Sequence, residues 1–282
     1  MFKKVLLSFL VTFTLNAQIF TEKDIEICST KFSLAVEKNL FDKPINEVVA
    51  EIGKSFLETD YVAHALESGG EEKLVINLTG LDCTTFLENA LVFSRLIKKR
   101  KTTFDDYLKE LTFIRYRDGI IDEYPSRLHY FSDWIYNNQQ KGIIKDVTKE
   151  LGGRTLNFQI DFMTAHAEAY MNLKNNPHFI PLIAEQEKEI SSRTYYYIPE
   201  REIDAIDNKI MNGDLIAFTT NIKGLDISHV GIAVKGTDGK THLLHAPQVG
   251  SKVEITKLPL SDYVKSVKKH TGIIVLRVVD IL

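Results

Sequence analysis

The chain has 282 residues, 44% hydrophobic and 26% charged, with a formal net charge of -3 and a pI near 6.3. This is ordinary globular composition with length enough to bury a core. It excludes the strongly basic profile of a dedicated nucleic-acid-binding domain, so nucleic acid is not an expected partner.

The N-terminus reads as a secretory leader over residues 1–17. Lys3 and Lys4 supply the positive region, Val5 to Leu15 the apolar run, and Ala17 a small residue for cleavage before Gln18. The run is short for a bilayer span, and nothing later approaches transmembrane length. No cysteine follows it to carry a lipid. The expectation is an exported chain, periplasmic or extracellular, with no transmembrane segment after processing. Export permits a Cys28–Cys83 disulfide. However, Cys28 shares a helical stripe with Ile25, Phe32 and Ala35, which reads as a buried free thiol.

Residues 21–41 read as a helix capped by Thr21, with Glu22 and Asp24 in its first turn. Pro44 opens a second helix carrying Ile45, Val48, Val49, Ile52 and Phe56 at helical spacing. Residues 73–78 alternate like a strand. A third helix begins around Cys83, and its wide apolar face (Phe86, Leu87, Ala90, Leu91, Phe93, Ile97) predicts central burial. Asp82 is one candidate N-cap, and Thr85-x-x-Glu88 is a competing capping box that starts the helix two residues later. The run Lys98-Lys99-Arg100-Lys101 complements the helix C-terminus and reads as solvated.

Residues 103–200 read as a mostly helical or irregular insert rich in aromatics. After Gly213, five short strands are expected at 214–218, 228–234, 241–245, 252–255 and 272–279, with Asp238-Gly239 as a hairpin turn. Helices first and an antiparallel sheet last is an α+β arrangement. Residues 18–282 are expected to form a single domain, because neither half holds a complete catalytic set.

The chemistry centres on Cys83. A thiol attacks as thiolate, and a helix N-terminus together with an imidazole can ionise it. The Asp82 charge would oppose that ionisation. His229 lies in a strand where Val230, Ile232 and Val234 point to the core, so His229, Gly231 and Ala233 take the other face. His245, at the end of the next strand, suits the third group that orients a catalytic imidazole. His242, three residues earlier, is expected on the opposite face and exposed. The C-x-x-C and H-E-x-x-H spacings of zinc sites are absent, and no metal or organic cofactor is expected. Adjacent acids such as Glu71-Glu72 and Asp105-Asp106 give no support for a glycosidase.

These motifs, in this order, resemble the NlpC-type cell-wall peptidases of the papain-like cysteine hydrolases. They are Asp82-Cys83-Thr84, Gly213 to Phe218, His229 to Ile232, and Leu244-His245-Ala246. The match is tightest over about 44–95 and 210–280. The resemblance implies Cys83 as nucleophile, His229 as base, His245 as its orienter and Tyr61 lining the site. The chain departs from the pattern in having Thr84, where the family usually has Ser, and in its long insert.

Within the insert, Tyr124 to Ile135 resembles a segment of an amidase branch associated with the N-acetylmuramoyl–L-alanine bond. Arg127 could pair with a substrate carboxylate and Trp134 could stack on a sugar ring. His129, and the rim from Asp161 to His166, fall beside them, while Tyr130, Phe131 and Trp134 could equally pack the insert. The expected substrate binders are thus Tyr61, Asp82, Arg127, His129 and Trp134. The expected function is hydrolysis of an amide in peptidoglycan fragments, with a muropeptide as partner. The alternatives are a γ-D-glutamyl endopeptidase, an acyltransferase, or a catalytically silent muropeptide-binding protein.

Overall fold

The computed structural model describes residues 18–67 and 69–281, so the expected leader lies outside the described residues. A short strand β1 (Gln18–Ile19) leads into α1 (Glu22–Glu37) and α2 (Ile45–Lys54). Thr21 caps α1 reciprocally: its side chain takes the Asp24 amide, and Asp24 returns a bond to the Thr21 amide at 2.8 Å. The helix stops short of residue 41 because Asn39 turns left-handed, with φ of 53°.

Two small parallel ladders follow. β2 (Asp60–Tyr61) is joined by β4 (Gly80–Leu81), and β3 (Leu74–Val75), all that forms of the expected 73–78 strand, pairs with β1. The first ladder sets Tyr61 opposite Leu81, two residues before α3 (Cys83–Lys98). α3 is buried almost throughout, from Thr85 to Ile97, between its helical neighbours and the sheet. Its basic end is engaged within the protein. Lys99 pairs with Glu110 at 2.6 Å on α4 (Phe104–Arg115), Arg100 pairs with Asp42 at 2.9 Å, and Lys98 caps the Lys43 carbonyl at 2.8 Å.

The insert continues with α5 (Phe131–Gln140), β5 (Ile144–Asp146), β6 (Arg154–Leu156), α6 (Phe162–Ala165), α7 (Met171–Asn175), α8 (Phe179–Ser192) and β7 (Tyr195–Pro199). Then come β8 (Leu215–Thr220), β9 (Ile227–Lys235), β10 (Thr241–His245), β11 (Glu254–Ile255), α9 (Leu260–Ser266) and β12 (His270–Val278). The sheet runs β11-β10-β9-β8-β12-β7-β6, with β5 also on β12, and its pairs are antiparallel. The expected α+β class with a C-terminal antiparallel sheet therefore holds. The insert differs from expectation in supplying three strands to that sheet. They are short and lack clean alternation, so little in their sequence separates them from irregular chain.

Both sheet faces are covered. Val230, Ile232, Val234, Leu244 and Ile274 pack with the helices, whereas Phe218, Ala233, Leu243, Ile273 and Val275 pack with Leu260 and Val264 of α9. Register shifts interrupt β8–β9 at Phe218/Thr219 and β8–β12 at His270/Gly272. Bulges of this kind re-aim side chains, and here both lie beside the histidines.

Candidate active site

Cys83 occupies the first turn of α3. Asp82 is the N-cap, with its carboxylate accepting the Thr85 amide at 2.7 Å and the Thr85 hydroxyl at 2.8 Å. Thr85 Oγ1 in turn accepts the Asp82 amide at 2.9 Å. This settles the start at Cys83 rather than two residues later. Glu88, the other half of the rejected capping box, points into the core instead.

His229 Nε2 lies 2.7 Å from His245 Nδ1, and both residues are buried. The backbone of Val230, one residue from His229, and the hydroxyl and backbone of Thr84 favour the ionised form of the Cys83 thiol. Tyr61 is half-buried near the thiol: burial first, and then negative charge on Cys83 and Asp82, push its phenol up to about 12. Cys83, His229, His245, Tyr61 and Asp82 thus gather at one end of the sheet. Tyr263 and His270 join them from α9 and β12. Sequence reading missed both; His270 reaches this face only through the β12 bulge.

The electrostatics favour uncharged partners. Burial pushes the Cys83 thiol up to about 12, and Asp82 adds to that shift. Burial also holds His229 well below the ordinary histidine value and His245 at about 4. At neutral pH Cys83 therefore rests as thiol and His229 and His245 as neutral imidazoles. Alkylation of Cys83 by iodoacetamide, read by peptide mass mapping, is expected to rise about tenfold per pH unit between pH 7 and 10. A plateau below pH 8 would show a preformed thiolate–imidazolium pair instead. Asp82→Asn keeps a competent cap and removes the charge. It should speed alkylation severalfold at pH 8 with little change in melting temperature; slower alkylation would contradict the role given to Asp82.

A cavity of about 220 Å³ opens beside the first turn of α3, with Asp82, Thr84, Glu88, Arg127, His129 and Met163 among its lining, which does not include Cys83, His229 or His245 themselves. Arg127 and His129 therefore reach the site region, but not as expected. Arg127 is buried and its guanidinium is paired with Glu67 at 2.8 Å and Glu72 at 3.2 Å, so its charge is already met within the protein, although Nε has no hydrogen-bond partner among the described residues. It braces the cavity wall by tying the 64–72 segment to the turn at 124–128. His129 donates from Nε2 to the Tyr124 carbonyl at 2.8 Å, and burial keeps it neutral. Trp134 corrects the sequence reading outright. It is 1% exposed, stacked on Phe131 at 4.8 Å, with its indole N–H on Glu88 at 3.2 Å, and cannot meet a sugar. His242 is also corrected: it is on the expected face but buried, bonded to the Thr256 carbonyl at 2.8 Å and to Asp238. Cys28 is a free, buried core thiol.

A larger groove of about 480 Å³ lies between residues 117–126 and α8, and its lining includes neither the thiol nor the histidines. Among the described residues no cluster of three or more metal-ligating side chains occurs, and no helix is long and apolar enough to cross a membrane.

The chain matches the AmiA-like family, described as N-acetylmuramoyl-L-alanine amidase-like, over residues 51–273. No curated protein matches. Among solved structures, an N-acetylmuramoyl-L-alanine amidase from Bacteroides uniformis is 38% identical over 83% of this chain and 99% of its own, with a TM-score of 0.77. A Bacteroides fragilis protein provisionally named a xylanase is 41% identical over 80% of this chain and 98% of its own, with a TM-score of 0.75. A Legionella pneumophila protein at 21% identity covers 92% of this chain and 97% of its own, and its TM-score of 0.67 shows a shared fold alone.

Proposed function

Because this chain belongs to the AmiA-like, N-acetylmuramoyl-L-alanine amidase-like family, we propose that it is an exported cysteine hydrolase of NlpC type that cuts the amide between N-acetylmuramic acid and L-alanine in peptidoglycan fragments. The observation that carries the mechanism is the buried 2.7 Å bond from His229 Nε2 to His245 Nδ1, beside a thiol at a helix start. It leaves His229 Nδ1 as the base. As Cys83 Sγ attacks the lactyl carbonyl, His229 takes the thiol proton and then gives it to the departing amine of L-alanine. The free Cys83 amide in the first turn supports the oxyanion. Water then attacks the thioester, His229 takes its proton, and the acid leaves while Cys83 regains its hydrogen.

A xylanase reading, suggested by one neighbour's name, lacks its chemistry in this cavity. Glycoside hydrolysis needs two poised carboxyl groups. Here Asp82 caps a helix, Glu88 is held by Arg115 and Trp134, and Glu67 pairs with Arg127. The direct test offers two synthetic substrates, N-acetylmuramoyl-L-Ala-γ-D-Glu and the same dipeptide extended at its γ-carboxyl but lacking the sugar. Release of the intact dipeptide from the first alone is expected. Cleavage of the second after D-Glu would make the protein an endopeptidase.

A further inference from the structure

A neutral imidazole carries one N–H and one lone pair, so a histidine pair must order its hydrogens. For His229 to accept the thiol proton on Nδ1, its Nε2 must donate to His245 Nδ1 across their 2.7 Å bond. His245 is then protonated on Nε2. That nitrogen is buried, and no group among the described residues accepts from it. The opposite tautomer would place the hydrogen on His229 Nδ1 and disable the base. An unmet Nε2–H therefore favours the wrong arrangement, because a buried donor without an acceptor is costly.

His270 stands in the same cluster. It is 4% exposed, and both its ring nitrogens are buried without a partner among the described residues. Its ring lies 6.5 Å from that of His229 and nearly parallel to it, and both pack on Phe218 at 4.8 and 5.6 Å. Tyr263 bridges the remaining side, 5.2 Å from His245 and 6.3 Å from His270. Plain alternation would give His270 the face of Ile274 and Leu276, toward the helices. The register shift between His270 and Gly272 turns it to the histidine face instead. Three buried ring nitrogens in one cluster also form the polar lining that a buried water needs.

We propose that His270 is a positioning residue: it accepts the Nε2–H of His245 through one bridging water, and so holds His229 in the tautomer whose Nδ1 is free. This rests on the roles proposed for Cys83 and His229. The test is ¹⁵N NMR of the histidine rings, with steady-state kinetics, on the wild type, His270→Phe and His270→Gln. In the wild type, His245 should be in the Nε2–H form. His270→Phe should shift it toward Nδ1–H and lower kcat about ten- to a hundredfold with KM nearly unchanged, and His270→Gln should restore most of the loss. An Nδ1–H form in the wild type overturns the proposal. So does a His270→Phe protein whose His245 tautomer is unmoved, whether or not its activity falls. The wild-type spectrum decides even if the Phe variant fails to fold. Absence of amide cleavage by the wild type would count against the Cys83 mechanism, not against the tautomer assignment.

Discussion

Cys83→Ala is expected to abolish amide turnover, by about a thousandfold or more, while leaving the fold intact. The loss should be this large because the other groups only serve the sulfur. In the proposed mechanism His229 moves its proton, His245 orients His229, and the first-turn amide meets charge that forms only once sulfur has attacked. None of them supplies a nucleophile. The fold should survive because the substitution removes one half-buried sulfur and leaves the Asp82–Thr85 cap and the apolar face of α3 in place. Melting temperature should barely change, and the inactive protein should still bind muropeptide. Retained turnover would remove Cys83 from the mechanism; a collapsed fold would make the position structural.

Glu88→Leu is expected to cost about 3–5 kcal/mol of stability, the largest effect foreseen away from the thiol. Glu88 sits 1% exposed in the middle of α3. It takes Arg115 Nε at 2.8 Å and the Trp134 indole at 3.2 Å, and Arg115 spends another hydrogen on the Val75 carbonyl at 2.7 Å. The cluster joins α3, α4, α5 and β3. Removing the carboxylate leaves a guanidinium buried without its counter-charge, which costs far more than the intact pair contributes. Adding Arg115→Met should recover much of the loss in urea unfolding, and a double-mutant cycle would show strong coupling. Simple additivity of the two changes would contradict this account of the core.

What the sequence revealed follows from local rules. The cap at Asp82, the α3 core face and the strands around His229 and His245 depend on neighbours within a few residues, and the periodicities carried them. Trp134, Arg127 and Glu88 were misjudged for the opposite reason. Trp134 and Arg127 have identities that suit a binding surface and Glu88 one that suits a capping box, yet partners 46, 60 and 27 residues away absorb their polar groups. His270 was invisible because its placement depends on a bulge, and the strands β5 to β7 because they are short and lean on a sheet formed much later in the chain. In this protein, element type could be read locally, but which polar group faces substrate could not.

The most direct measurement is mass spectrometry of a defined disaccharide muropeptide treated in ¹⁸O-water with the wild type and with Cys83→Ala. The account predicts an intact peptide with a free L-alanine amine, and a muramoyl sugar whose lactyl carboxylate has gained one ¹⁸O, from the wild type alone. Cuts within the peptide, transfer without ¹⁸O, or the same products from Cys83→Ala would contradict it.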